Sequence, residues 1–270
     1  MNFLRRILLL LLSLSLAALT AYNQQTPPPS PEVQRLKGNR GGEMILASIK
    51  AMGGWETWKQ KTDVQYEREM TRYEEDGRII REKQFHRFVL PSAVRARLET
   101  VREGKTRVQG FDGTKEWVTE DGKLSSDPEL LRGARRSAFG TQYMFCLPFK
   151  LTDAGARTEY LGVARLAGKA FDKVRVTYAP GTGETPEHIW TFYFHQTTHF
   201  LERVDWTDGK SCSITEHKNY RKVDGLWWPT ARSNYMSDAQ GNKKRKFSDL
   251  VYHNIHFNNE FNSSLFAAPR

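Results

Sequence analysis

Apolar and polar residues alternate with a period of two along much of the chain. Val64, Tyr66, Arg68 and Met70 fall on one side of such a stretch, and Gln65, Glu67, Glu69 and Thr71 on the other. Val94, Ala96 and Leu98 alternate with Arg95, Arg97 and Glu99, and Val174 and Val176 with Lys173, Arg175 and Thr177. This period places successive side chains on opposite faces of a strand, so each stretch predicts a strand with one buried face. Five Asp-Gly pairs punctuate these stretches, at Asp76-Gly77, Asp112-Gly113, Asp121-Gly122, Asp208-Gly209 and Asp224-Gly225. Asp-Gly suits the positive φ angles of tight hairpin turns. The turns are too closely spaced for parallel crossovers, which predicts an up-and-down antiparallel meander.

Two segments break the pattern with a longer period. Ile45, Ile49 and Met52 recur at steps of four and three, beside Ala47 and Ala51. They predict a helix within residues 41–61, broken at Gly53-Gly54 and followed by a short turn carrying Trp55 and Trp58. Asp127-Pro128-Glu129 has the cap, first-turn proline and acid of a helix start. Leu130, Leu131, Ala134 and Ala138 continue it, predicting one helix from Asp127 to Phe145, or two broken near Gly140.

The first residues have another character. Arg5 and Arg6 precede an uncharged apolar run from Ile7 to Leu19, with small residues at Ala17, Ala18 and Ala21. This is the three-part pattern of a secretory signal peptide. The run is shorter than the ~20 residues a bilayer span needs. The expected organisation is a signal peptide over 1–21, a proline-rich flexible linker over 22–40 and one domain over 41–270. A retained N-terminal anchor is the alternative to cleavage. The expected location is the periplasm.

Composition narrows the function classes. The chain has 270 residues, 39% of them hydrophobic and 12% aromatic, enough for a sizeable core. A mean hydropathy of −0.64 excludes a multi-pass membrane protein. The formal charge is +10, and +8 without Arg5 and Arg6. An exported basic protein has no nucleic acid to bind, so its anionic partners would be head groups at a membrane surface or acidic polymers. Solubility alone would also account for the charge. The basic run Lys243-Lys244-Arg245-Lys246 has the same two readings, a solvated strand or a head-group contact. Cys146 and Cys212 could pair in an oxidising compartment, although the apolar flanks of Cys146 also suit a buried free thiol.

A helix ending in Ala51-Met52-Gly53-Gly54-Trp55 leads into the meander, whose Phe111-Asp112-Gly113 and Trp117 mark one hairpin. The helical insert runs into Leu147-Pro148-Phe149-Lys150-Leu151. Trp190-Thr191-Phe192-Tyr193-Phe194 with Phe200 to Val204 form a strand pair, and Val223 to Pro229 a late hairpin. These motifs, in this order, resemble those of the periplasmic lipoprotein-carrier (LolA/LolB-like) superfamily, in its uncharacterised outer-membrane lipoprotein-sorting-like branch. The resemblance implies a mainly β, α+β fold, an incomplete antiparallel barrel of about eleven strands with helices lidding its concave face. It also implies an apolar space that accepts acyl chains. No individual binding residue carries over, and the tether over 23–42 is longer than a compact carrier needs.

A half-closed barrel under helices encloses more apolar volume than its own side chains fill. Leu98, Trp117, Leu130, Phe145, Trp190, Phe192 and Phe194 are the candidates to line that volume, against the alternative that they are ordinary core. Arg132, Arg135 and Arg136, on the lid helix opposite Leu130 and Ala134, are head-group candidates. The implied ligand is a lipid, an acyl chain or a lipidated protein, held without catalysis by a monomer and with no cofactor. A second reading is an envelope β-sheet protein that binds a protein or polymer through its surface, and a third is an unrecognised hydrolase. Against catalysis, the sequence has no G-x-S-x-G elbow, no phosphate-binding G-x-x-x-x-G-K and no H-E-x-x-H. His195 and His199 would lie about 13 Å apart along a strand, too far for one metal ion. His253 and His256 lack neighbouring acids, so no metal site is expected.

Overall fold

In the computed structural model, which describes residues 30–90, 94–180, 182 and 188–269, the alternating stretches form thirteen strands of one antiparallel sheet. Six of them precede the helical insert: β1 (Asp63–Tyr73), β2 (Ile79–Val89), β3 (Ala96–Arg102), β4 (Lys105–Phe111), β5 (Glu116–Glu120) and β6 (Lys123–Leu124). Seven follow it: β7 (Ala156–Leu166), β8 (Lys169–Tyr178), β9 (Ile189–His195), β10 (Leu201–Thr207), β11 (Cys212–Val223), β12 (Leu226–Ser237) and β13 (Lys243–Phe257). Each of the five Asp-Gly pairs lies between two consecutive strands, and each of their glycines has a positive φ.

The meander is not continuous. The spatial order is β6-β5-β4-β3-β2-β1-β13-β12-β11-β10-β9-β8-β7, so the two runs of strands meet where the first strand pairs with the last. Val64 stands opposite Phe257 and Arg72 opposite Ser248, with a register shift between Gln65 and Glu67. The outer strands β6 and β7 do not pair, so the sheet stays an open half-barrel. Thirteen strands therefore replace the eleven that the resemblance implied.

The helices are α1 (Pro31–Gln34), α2 (Arg40–Ala51), α3 (Trp55–Lys59) and α4 (Pro128–Phe145). α4 is a single helix that runs through Gly140. Its first turn is closed by Asp127, whose Oδ1 accepts from the Glu129 amide at 2.8 Å. Asn39 caps α2 in the same way, accepting from the Gly42 amide at 2.9 Å. At the other end of α2, Gly53 has φ +117° and lies where a Cβ would come 2.5 Å from the Gly225 carbonyl oxygen. Only glycine lets the helix end dock onto the β11–β12 turn, where the Trp227 amide donates to the Met52 carbonyl at 2.9 Å.

α2 lies over β7–β9, and α4 over β3–β5. Ile45 and Ile49 of α2 and its C-cap residue Met52 are almost fully buried, as are Ala134 and Ala138 of α4. Between the helices runs an aromatic stack. Trp58 lies on Phe149 with ring centroids 4.6 Å apart, and Phe145 packs on both Tyr66 (4.5 Å) and Trp228 (4.7 Å). Rings at these separations add specific attraction to the area they bury.

Part of the stretch expected as linker is docked on the domain. Leu36 is 4% exposed, and the Arg35 guanidinium donates to the Thr152 carbonyl at 2.7 Å. A buried leucine and an anchored arginine outweigh the entropy of a free tether. The expected signal peptide and most of the proline run lie outside the described residues. Cys146 and Cys212 are not joined in a disulfide.

Candidate functional site

The helix-covered face of the sheet follows the predicted alternation. β1 contributes Tyr66, Arg68 and Met70, opposite His86, Gln84 and Glu82 of β2. β9 contributes Trp190 and Phe192, opposite Trp206 and Val204 of β10. Most of this face is filled. Phe192 and Phe194 are at most 1% exposed and stack in a row with Trp190. Phe145 is held in the aromatic stack, and Leu98 is buried on the same face of β3.

A recess of about 350 Å³ lies between the C-terminal half of α4 and the strands β1 and β9–β13. It is lined by Trp190, Trp206, Leu250 and Phe247 of the strands and by Tyr143 and Met144 of α4. The Trp190 and Trp206 centroids are 6.2 Å apart, and His188 stacks on Trp206 at 4.8 Å. This volume is at the small end of ligand pockets, which run to roughly 300–1,000 Å³.

Two guanidiniums enter the recess. Arg68 Nε donates to Gln84 Oε1 at 2.7 Å, and Arg232 Nη2 donates to the Met144 carbonyl at 2.9 Å. Arg232 is 4% exposed and lies over the Tyr252 ring. Ser213, Thr215 and Asn234 add neutral polar groups, with Thr215 Oγ1 donating to Asn234 Oδ1 at 2.7 Å. Behind them, burial, reinforced by Arg232, holds the His217 imidazole well below its ordinary pKa. Burial and Arg68 do the same for His86. Both rings are neutral at physiological pH.

Beyond Arg68 the same face becomes hydrophilic. A trough of about 360 Å³ runs past Met70 between Arg72, Arg102, Arg107 and Glu82. Glu82 meets Arg72 at 3.1 Å and Arg102 at 3.7 Å. A larger cleft, of about 750 Å³, lies among Phe171, Arg203, Glu216, Tyr220 and Lys243. Arg203 is bound there to Asp205 at 2.6 Å, and Glu216 to Lys218 at 3.1 Å and to Lys243. Its charges are mutually satisfied.

Of the seven predicted lining residues, Trp190 alone borders the recess. Trp117 is on the other face of the sheet, where its indole donates to the Phe266 carbonyl at 2.8 Å under the C-terminal segment. Its neighbour Val118 points to α4 instead, because β5 carries apolar residues at consecutive positions and register decides which faces inward. Leu130 is partly buried near the start of α4, away from the recess. The arginines expected at a pocket mouth are also on the N-terminal half of α4. Arg132 pairs with Glu129, Arg135 with Glu116 at 3.7 Å, and Arg136 is exposed. The basic run at 243–246 is ion-paired at every position, with Glu216, Asp238, Glu75 and Asp249 in turn.

Sequence reasoning missed Trp206, Arg68 and Arg232. The signal for Arg68 was present, since it interrupts the apolar register Val64-Tyr66-Met70. Arg232 follows Trp228 at an even spacing on the same face of β12. Among the described residues no three His, Cys, Asp or Glu side chains gather in a metal-binding group.

No family model and no curated protein sequence matches the chain. Solved structures do. An outer membrane lipoprotein-sorting protein domain from Vibrio parahaemolyticus is similar over 83% of this chain and 94% of its own, at 13% identity and a TM-score of 0.53. A DUF1329 family protein from Desulfovibrio piger is similar over 85% and 98%, at 12% identity and a TM-score of 0.56. A LolA superfamily protein from Nitrosomonas europaea is similar over 84% and 97%, at 8% identity and a TM-score of 0.53.

Proposed function

For a chain with the LolA-like fold, we propose the role of a non-catalytic envelope binding protein that holds the acyl chain of a lipid or of a lipidated protein. The observation that carries this reading is the recess between α4 and the sheet, walled by Trp190, Trp206, Phe247 and Leu250. An acyl chain laid there leaves water at roughly 0.8 kcal/mol per buried methylene. The signal-like segment at 1–21 supports export to the periplasm, where such a ligand would be met. The protein acts as a monomer, binding under α4 and releasing to a partner or a membrane.

Native mass spectrometry of the mature protein purified from its own periplasm, followed by denaturing lipid extraction, tests this role. A lipid at fixed stoichiometry is the expected result. An apo mass, with no uptake of a fluorescent acyl probe, overturns it in favour of a protein that binds partners through its surface.

A further inference from the structure

The recess is apolar on one side and cationic on the other. Arg68 and Arg232 both line it, and among the described residues no Asp or Glu does. Neither guanidinium forms an ion pair among the described residues. His188 also lines it, stacked on Trp206, while the buried imidazoles of His86 and His217 are neutral and add no charge of either sign. Arg232 is 4% exposed, and its Nε has no acceptor among the described residues. The Met144 carbonyl, in the last turn of α4, offsets part of its charge but leaves that donor idle. The Trp190 indole N–H, in the same recess, is also buried without an acceptor.

A buried charge with no counter-charge, and a buried donor with no acceptor, are both costly. Folded proteins carry few such groups, and two of them, Arg232 Nε and Trp190 Nε1, share this one apolar recess. What they lack in common is an oxyanion. A guanidinium matches a carboxylate or a phosphate with paired N–H donors, and these are the stronger class of hydrogen bond. The apolar walls at Trp206, Phe247 and Leu250 supply the place for a chain attached to it.

We infer that the recess selects an anionic amphiphile, its oxyanion received by Arg68, Arg232 and the Trp190 indole and its chain lying on Trp206, Phe247 and Leu250. This rests on the acyl-binding reading above and adds the head group to it. A long-chain carboxylate and a long-chain phosphate present the same chemistry, and the test separates them.

Binding of dodecanoate, dodecyl phosphate and dodecanol to the full-length mature protein, each below its aggregation concentration, is followed by tryptophan fluorescence and calorimetry. The three share a chain and differ in the head. At least one anion binds roughly tenfold or more tighter than the alcohol, as one or two charge-assisted hydrogen bonds predict. The better anion identifies the head group. Arg68→Met and Arg232→Met each reduce that preference while dodecanol binding changes little. Arg68 is the half-exposed member of the pair, so its variant stays informative if Arg232→Met fails to fold. Equal binding of all three heads overturns the anion inference and leaves the acyl recess standing. No binding of any of them overturns both.

Discussion

Phe145 lies flat on Tyr66, with ring centroids 4.5 Å apart and planes 11° from parallel. The pair joins the last residue of α4 to the first half of β1, and Phe145 also packs on Trp228 of β12. This contact fixes the helix end beneath which the recess opens. Phe145→Ala should cost about 3–5 kcal/mol in urea unfolding, the range for deleting a buried ring. A loss under about 1 kcal/mol would show that α4 is anchored elsewhere.

The recess can be filled from its strand side. Ser213 is small, nearly buried and lines it. In Ser213→Phe the new ring occupies the space an acyl chain would take, so uptake of a fluorescent acyl probe should fall roughly tenfold or more with far-ultraviolet circular dichroism unchanged. Undiminished uptake by the folded variant would place the acyl site somewhere else on the protein.

His86 and His217 make stability depend on pH. Each has a folded pKa well below the ordinary 6.5, first through burial and then through an arginine. Below pH 6.5 the unfolded chain takes up protons that the folded chain refuses. The stabilisation is therefore complete above that value and is lost as pH falls, by up to about 1.4 kcal/mol per pH unit for each histidine. The urea midpoint should drop between pH 7 and pH 5, and His217→Gln should flatten the slope. A midpoint independent of pH over this window would contradict the burial of both rings.

On the outer face, Gly110 stands opposite Trp117, and a Cβ there would lie 2.1 Å from the indole. Gly110→Ala should displace the ring, break its bond to the Phe266 carbonyl and cost about 1–3 kcal/mol. The C-terminal segment would then become a site of limited proteolysis. Its persistence in a digest of the variant would show that Trp117 does not hold it. Asp63 gives that segment a separate anchor, accepting from the Asn259 and Glu260 amides at 2.6 and 2.9 Å.

The local elements were legible in the sequence because their causes are local. Asp-Gly turns, period-two strands and the Asp127 cap each depend on residues within a few positions of one another, and the structure has all of them. α4 and the sheet class followed directly. The pairing of β1 with β13 did not, because it joins residues nearly 200 positions apart and no turn announces it. Nor did the face of Trp117, since one step of register exchanges it with Val118. Aromatic residues were the obvious choice for a lipid pocket, yet Phe145 is packed on Tyr66 and Trp228, and Phe192 and Phe194 in a row beside Trp190, all as core. Composition shows how much apolar surface a chain has, and only packing decides which part of it remains uncovered. The sequence by itself thus determined strands, turns and helices. The tertiary structure decided that an unfilled space remains beside Trp190, and that Arg68 and Arg232 meet there, because that space is what is left after every long-range contact has closed.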